Sequence, residues 1–455
     1  MTRYIATCMC LIYMLMSSTY FVSFASQKEV TKDFKVMGYF SESPFDDPID
    51  ESIEFEGLTH LIYAFLKPKE DGSFYEIKKP ERLKELVEKS HEKGVKVIIS
   101  VGGVRVNDQP LVTIFETLAS TEQGRKNFVN GITEFVELYN LDGVEIDWEY
   151  PTNLSSDNYE RLILTLDENL EKRGKTLSAA VAGAGSPDTK AESVEAITSK
   201  SLECFDWINV MAYDLYGGQH SPYWFSNVSI DYWASRGVPS NKIVLGIPLY
   251  ARPSWKQYRH LVQMDPEYAY LDYVKGEKLD SYYNGLNTIA EKARLALNKA
   301  GGIMFFDINE DTHDETSAQK IALEMINRYD KNKLEELFIV VENKELLFSE
   351  EESLGKPFID ENNRTQVPVR KALETIGASV YYDSFNQTVT AKKDDIKVTF
   401  AIGENFIEVN DSKVEMDTIV ILKEDRTYLP LRWIYESFGY QVTWHEGSNT
   451  VIVNQ

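Results

Sequence analysis

Along the chain, short apolar runs alternate with amphipathic stretches of helical period. Lys35–Phe40, Leu58–Phe65 and Val95–Val101 read as the first three strands. Asp142–Pro151 reads as the fourth, followed by Thr176–Ala182, Trp207–Tyr213, Lys242–Leu249 and Gly302–Phe306. Between them the spacing predicts helices over Pro80–Lys93, Gly124–Tyr139, Ser155–Lys172, Thr189–Leu202, a short one near Tyr232, Asn287–Lys299 and Thr316–Tyr329. Near-continuous apolar strands are buried on both faces. Eight of them, most followed by a helix, imply an α/β fold with a parallel sheet closed as a (β/α)8 TIM barrel. An open doubly wound sheet satisfies the same count. No glycine-rich phosphate loop opens a helix, so nucleotide binding has no support.

The fourth strand is unusual. In D-G-V-E-I-D-W-E-Y-P, Val144, Ile146, Trp148 and Tyr150 alternate with Glu145, Asp147 and Glu149. A period of two puts the acids on one face and the apolar residues on the other. An ordinary half-exposed strand would give the same alternation. Asp and Glu are poor strand formers, however, and a row of acids repels itself. Inside a barrel the acids would converge, and at least one carboxyl would be held protonated. A protonated carboxyl beside an ionised one is what acid-catalysed glycoside cleavage requires.

Two regions break the rhythm. Pro253–Gly285 is rich in aromatics, with Trp255, Tyr258, Tyr268, Tyr270, Tyr273, Tyr282 and Tyr283. It reads either as the wall of a site at the carboxyl end of strand seven or as a small subdomain with its own aromatic core. From about Lys331 charged residues mark an interdomain boundary, and an internal repeat lies beyond it. R-T-Q-V-P-V-R from Arg364 and R-T-Y-L-P-L-R from Arg426 each lead into a helix stopped by Gly377 or Gly439, then into a strand pair. This predicts a small α+β domain made of two related units.

Composition narrows the function. The formal net charge of −24 over 455 residues argues against nucleic acid or an anionic membrane surface as partner. Arg3, the apolar run Ile5–Met16 and Ser23-Phe24-Ala25 have the three-part pattern of a secretory signal cut near Ala25; a membrane anchor is the alternative. Cys8 and Cys10 fall inside that segment, which leaves Cys204 without an internal disulfide partner and reads it as a buried structural thiol.

From about Lys35 to Tyr329 the chain resembles glycoside hydrolase family 18, the chitinase family. Asp142–Pro151 is similar to the family's D-x-x-D-x-D-x-E signature, with Glu145 where Asp is usual. Ser100-Val101-Gly102-Gly103, Met211-Ala212-Tyr213-Asp214, Gly246–Arg252 and Gly301–Met304 resemble its motifs on strands three, six, seven and eight. The resemblance implies substrate-assisted retention. Glu149 would protonate the leaving oxygen and later activate water, while the substrate's 2-acetamido oxygen attacks the anomeric carbon. Asp147 would orient the acetamide, Tyr213 would hydrogen-bond its oxygen, and Asp142 would share a proton or hydrogen bond with Asp147. Tyr39, Phe65, Gly103, Trp148, Met211, Asp214, Tyr250 and Arg252 are implied as substrate-binding residues. Phe306 stands where the family commonly has a Trp under the sugar.

The C-terminal region resembles the copper amine oxidase N-terminal-like domain. It holds one His, His445, and no Cys, so no copper site is expected and no cofactor or metal is implied. The expected organisation is a signal over 1–25, the barrel over 33–331 and the accessory domain over 336–455. The expected partner is an N-acetylglucosamine-containing polysaccharide, with cell-wall or polysaccharide contact through the accessory domain. Peptidoglycan or N-glycan cores are the alternative substrates, and a non-catalytic chitin-binding lectin is the alternative class.

Overall fold

The computed structural model describes residues 33–41, 49–186, 188–314, 316–330, 337–341, 344–346, 348, 355–445 and 450–454. The expected signal segment and the interdomain boundary near Lys331 lie outside the described residues. Contacts divide the chain after residue 331 into two compact units.

The first unit is a closed barrel of eight parallel strands: β1 (Lys35–Ser41), β2 (His60–Leu66), β3 (Lys96–Gly103), β4 (Gly143–Trp148), β5 (Thr176–Ala182), β6 (Trp207–Met211), β7 (Ile243–Pro248) and β8 (Gly302–Phe306). Each strand pairs with its chain neighbours, and β8 closes on β1. The strands read as unbroken apolar runs because each is buried on both faces: inward side chains meet at the barrel axis and outward ones meet helices. Met37, Ile62, Ala64, Ile98, Val244 and Met304 pack in the interior. Outside, Leu83, Leu86 and Val87 anchor helix Pro80–Glu92, and Phe128, Val129, Ile132 and Val136 anchor helix Glu122–Leu138. Thr121 caps the latter, its hydroxyl accepting from the Gly124 N–H at 3.0 Å.

Some elements differ from the sequence pattern. The expected helix over Thr189–Leu202 is two short ones, Glu192–Glu195 and Ser199–Cys204, because Thr198 is extended and starts the second as its N-cap. Helix Leu111–Ser120 was not anticipated. Cys204 is half-buried rather than fully buried, and burial with the nearby Asp167 pushes its thiol up to about 12, which leaves it inert.

Between β7 and helix Leu286–Lys299, the chain forms a three-stranded sheet of Arg252–Pro253, Tyr273–Val274 and Ser281–Tyr282, with helix Tyr258–Met264 packed nearby. Tyr258 and Tyr283 are buried with ring centroids 6.4 Å apart, and Leu261 and Val274 are buried too. Trp255 is exposed. The buried tyrosines lie inside this insertion, and Trp255 lies on its surface.

Among its described residues the second unit has three antiparallel or mixed sheets and two helices, Val369–Thr375 and Leu431–Glu436. Strands Thr365–Pro368 and Arg426–Pro430 pair antiparallel, with Gln366 opposite Pro430, Val367 opposite Leu429 and Pro368 opposite Tyr428. Corresponding positions of the two repeat copies thus exchange places across a local two-fold at Val367 and Leu429. The two helices meet, and the Tyr435 hydroxyl donates to the Ala372 carbonyl at 3.0 Å.

One glycine of β3 is demanded by the barrel itself. Gly102 has φ +138, and a Cβ there would sit 1.9 Å from the Asp147 carbonyl oxygen on the paired strand. Gly102→Ala should lower barrel stability by about 2 kcal/mol or more. Gly174→Ala, at φ +65 with open space around it, should cost about 1 kcal/mol. Denaturant unfolding followed by tryptophan fluorescence measures both.

Candidate active site

The parity of β4 sorts its side chains. Trp148, even-numbered like Val144 and Ile146, points outward and packs between Phe115 (ring centroids 4.9 Å, 12° apart in plane) and Tyr159 (5.5 Å) of the outer helices. Glu145 and Asp147 point inward, and Glu149 follows at the strand's carboxyl end, where sites of this fold form.

Glu145 lies deepest. The Tyr39 hydroxyl donates to its Oε1 at 2.5 Å, and the Asn209 amide donates to Oε2. Strand register sets Ser100 and Ser178 on either side of it. Burial pushes the Glu145 carboxyl up to about 7, and these four polar neighbours moderate the rise by favouring the ionised form. Asp147 is 3% exposed, and its Oδ1 has no hydrogen-bond partner among the described residues. Burial first, then the charges of Glu149 and Glu145, hold it well above the usual carboxylate range, with Lys67 pulling the other way. Burial raises Glu149 too, as does the charge of Asp214, while a hydrogen bond with the Tyr150 side chain and the Lys67 charge oppose the rise. Two carboxyls that act on each other in a dry site titrate as a pair, one proton remaining after the other has left.

Aromatic rings surround the acids. Tyr213 faces Phe306 at 6.3 Å between centroids, and Tyr250 stands edge-on to both at 6.2 Å. Tyr39 meets Phe306 at 5.3 Å. Gly246 makes room for Tyr213: a Cβ there would come within 2.8 Å of its ring. Burial pushes Asp214 up, but hydrogen bonds from His220 and Tyr250 and the charge of Arg252, 3.5 Å away, bring it below its usual range. Arg252 stacks on Trp255 (3.9 Å), which stacks on Tyr250 (5.6 Å, 10°) and is 63% exposed at φ 58.

This wall is pinned from behind. Lys292 of helix Leu286–Lys299 is 0% exposed and donates at 2.7 Å to the Ser221 carbonyl, the Ser221 hydroxyl and Asn284 Oδ1. The Ser221 hydroxyl donates to the Ala212 carbonyl, beside Tyr213, at 2.8 Å. The segment carrying Asp214 and His220 is thereby tied to the end of the β7 insertion. Burial pushes the Lys292 ammonium down to about 7.

The structure thus brings together Glu149, Asp147, Tyr213, Tyr39, Asp214, Tyr250, Arg252 and Phe306. Phe65 and Met211 pack against the same interior cluster, and Gly103 lies against Phe65 and Lys67. Two expectations are corrected. Asp142 does not share a hydrogen bond with Asp147: it precedes β4, where its Oδ2 accepts from the Val97 N–H at 2.7 Å and meets His91 Nε2 at 2.8 Å. Glu145 occupies the inner position instead. Trp148 is a core residue of the outer layer and cannot reach a sugar. Sequence reasoning missed Lys67, Asn209 and Tyr150, which touch or act on the acids, and Lys292, which braces the wall. Among the described residues, no group of three or more His, Cys, Asp or Glu is placed to hold a metal.

The chain is similar to known proteins. The chain is 29% identical over 261 residues to Probable chitinase 10 of Drosophila melanogaster, covering 49% of this chain and 11% of that protein. It is 30% identical over 230 residues to a chitinase-like effector of Moniliophthora roreri, covering 45% and 55%. The chain therefore spans little more than half, or far less, of these relatives. The GH18 chitinase ChiB from the chitin utilization locus of Flavobacterium johnsoniae superposes with a TM-score of 0.56 at 29% identity, covering 65% of this chain and 94% of that one. Residues 341–453 match the copper amine oxidase N-terminal domain. Residues 35–311, which carry the barrel and every acid described above, match glycosyl hydrolases family 18, and the chain belongs to that family.

Proposed function

We propose that this chain is a secreted glycoside hydrolase that cleaves β-1,4 linkages of N-acetylglucosamine polymers with retention assisted by the substrate. One observation carries the reading: a buried Asp147 with an unpartnered oxygen stands beside a Glu149 whose carboxyl resists ionisation. Glu149 donates its proton to the glycosidic oxygen as the bond to the anomeric carbon breaks. The substrate's acetamido oxygen forms the new bond to that carbon. Asp147 accepts a hydrogen bond from the acetamide N–H and offsets the positive charge that develops. Burial holds the Tyr213 hydroxyl well above its usual range, so it stays a neutral donor for the acetamide oxygen. Glu149 then takes a proton from water, which opens the ring intermediate. Glu145, pushed up to about 7 by burial against the hydrogen bonds of Tyr39 and Asn209, accommodates the changing charge of Asp147 from beneath.

Phe306 and Tyr250 offer ring faces to the sugar, and Asp214 and Arg252 offer polar contacts to its hydroxyls. Chitin as the polymer is supported by the Flavobacterium johnsoniae relative, a chitinase from a chitin utilization locus. Secretion rests on the signal-type pattern of the first 25 residues. A role for the C-terminal unit in contacting polysaccharide or cell wall belongs to the same proposal.

Glu149→Gln should cut turnover of chitin oligosaccharides by about 100- to 10,000-fold while leaving their binding largely intact. Release of reducing ends and calorimetric titration check the two halves. Oligomers bound by the wild type without any new reducing ends would establish a lectin instead. Fully deacetylated oligomers, which lack the internal nucleophile, should not be cut by the wild type, and their hydrolysis at a comparable rate would refute the substrate-assisted route. Asp142→Asn tests the placement of Asp142 outside the site: it should lower stability by about 1 kcal/mol by weakening the hydrogen bonds at Val97 and His91, with kcat within a few-fold of wild type. A loss as deep as that of Asp147→Asn would return Asp142 to the mechanism.

A further inference from the structure

Lys67 lies just beyond β2 and has no part in the steps above. Its Nζ donates to the Gly102 carbonyl at 2.8 Å and stands 4.4 Å from the Phe65 ring centroid. A Cβ on Gly103 would meet the same Nζ at 3.0 Å. Gly102 and Gly103 pair with Asp147 and Trp148 across the β3–β4 ladder. The ammonium is therefore held at the carboxyl ends of the two strands, next to the one that delivers Asp147 and Glu149. Its hydrogen bond goes to a neutral carbonyl and its other neighbour is a ring face, so neither cancels its charge.

The groups facing the acid pair are otherwise anionic or neutral. Asp147 is faced by Glu145 from its own strand and by the Tyr39 and Tyr213 hydroxyls from β1 and the end of β6. Glu149 is faced by Asp214 and Tyr150. Arg252 is directed to Asp214. Lys67 is the cation among the described residues whose field reaches both acids. In a water-poor mouth, the first ionisation of such a pair is opposed by burial and the second by repulsion. A cation whose charge acts on both eases each step, and their charges in turn favour the Lys67 ammonium against the burial that lowers it.

We propose that Lys67 is the counter-charge that allows one member of the Asp147–Glu149 pair to ionise while the other keeps its proton, and so sets the pH range in which the site works. It acts through the acids and not on substrate, which makes it a positioning residue in an electrostatic sense. The kinetic consequence rests on the catalytic reading of the pair; the titration itself does not.

The test compares full-length wild type with Lys67→Met, Lys67→Gln and Lys67→Arg by carboxyl carbon-13 NMR across pH, using Asp147→Asn and Glu149→Gln to assign the two signals. Met removes charge and donor, Gln keeps a donor for Gly102 without charge, and Arg keeps the charge. In the Met and Gln variants both acids should titrate at higher pH than in wild type, by about one pH unit, and the Arg variant should follow wild type. Both limbs of the pH–rate profile on chitin oligosaccharides should move by the same amount. Met and Gln titrations that overlay wild type overturn the proposal whatever the activity. A shift in Met that Gln abolishes also overturns it, since the lost hydrogen bond and not the charge would then be responsible. A wild type that never turns over while the titrations move as described would remove the hydrolase reading and leave the role of Lys67 standing.

Discussion

The constraint on which the site depends is the cost of keeping carboxyl groups away from water inside the barrel. An ionised carboxylate in a dry interior is costly unless donors surround it, and a neutral one still needs hydrogen bonds. Glu145 is supplied by Tyr39 on β1 and Asn209 on β6, neither of which adjoins β4 in the sheet. Those donors reach the carboxyl across the barrel interior. An open sheet with the same strands would leave the acids on β4 but take their partners away. Closure of the ring is therefore a requirement of the chemistry as much as of the fold.

Asp147 and Glu149 sit further toward the mouth, where donors are fewer and the balance is left to proton sharing and to charge. The ladder of interactions along β4 thus runs from a fully satisfied acid at the bottom to a partly satisfied one above it and an accessible one at the rim. Such a gradient lets charge change at the rim without an unpaired ion being stranded in the core.

The barrel was legible in the sequence because strands buried on both faces cannot alternate, and eight such runs leave few architectures. The inward acids were legible for the opposite reason, since only a two-residue period distinguishes them. The same period held the answer to the two misplaced residues. Asp142 and Trp148 are even-numbered and the inward acids are odd, so parity alone sends the former pair away from Glu145, Asp147 and Glu149. Strand parity was the available signal, and motif resemblance overrode it. Lys67, Asn209 and Lys292 carry no such signal: each is one polar residue in an ordinary local pattern, and its role arises from contacts to distant stretches of chain, 64 residues away for Asn209 and 71 for Lys292. In the C-terminal unit the repeat was readable, but not that its two copies would pair through the repeated strand itself.

The three hydrogen bonds of Lys292 have a consequence for how this cleft can change. The insertion after β7 contributes the exposed Trp255, and the loop after β6 contributes Asp214, yet both are gripped by one ammonium on a helix outside the barrel. The two loops are a single mechanical part. Remodelling either one, by drift or by grafting, has to keep an oxygen presented to that buried nitrogen; otherwise a buried amine is left without its acceptor. The rim is free to vary at its tip, and the grip beneath it is not.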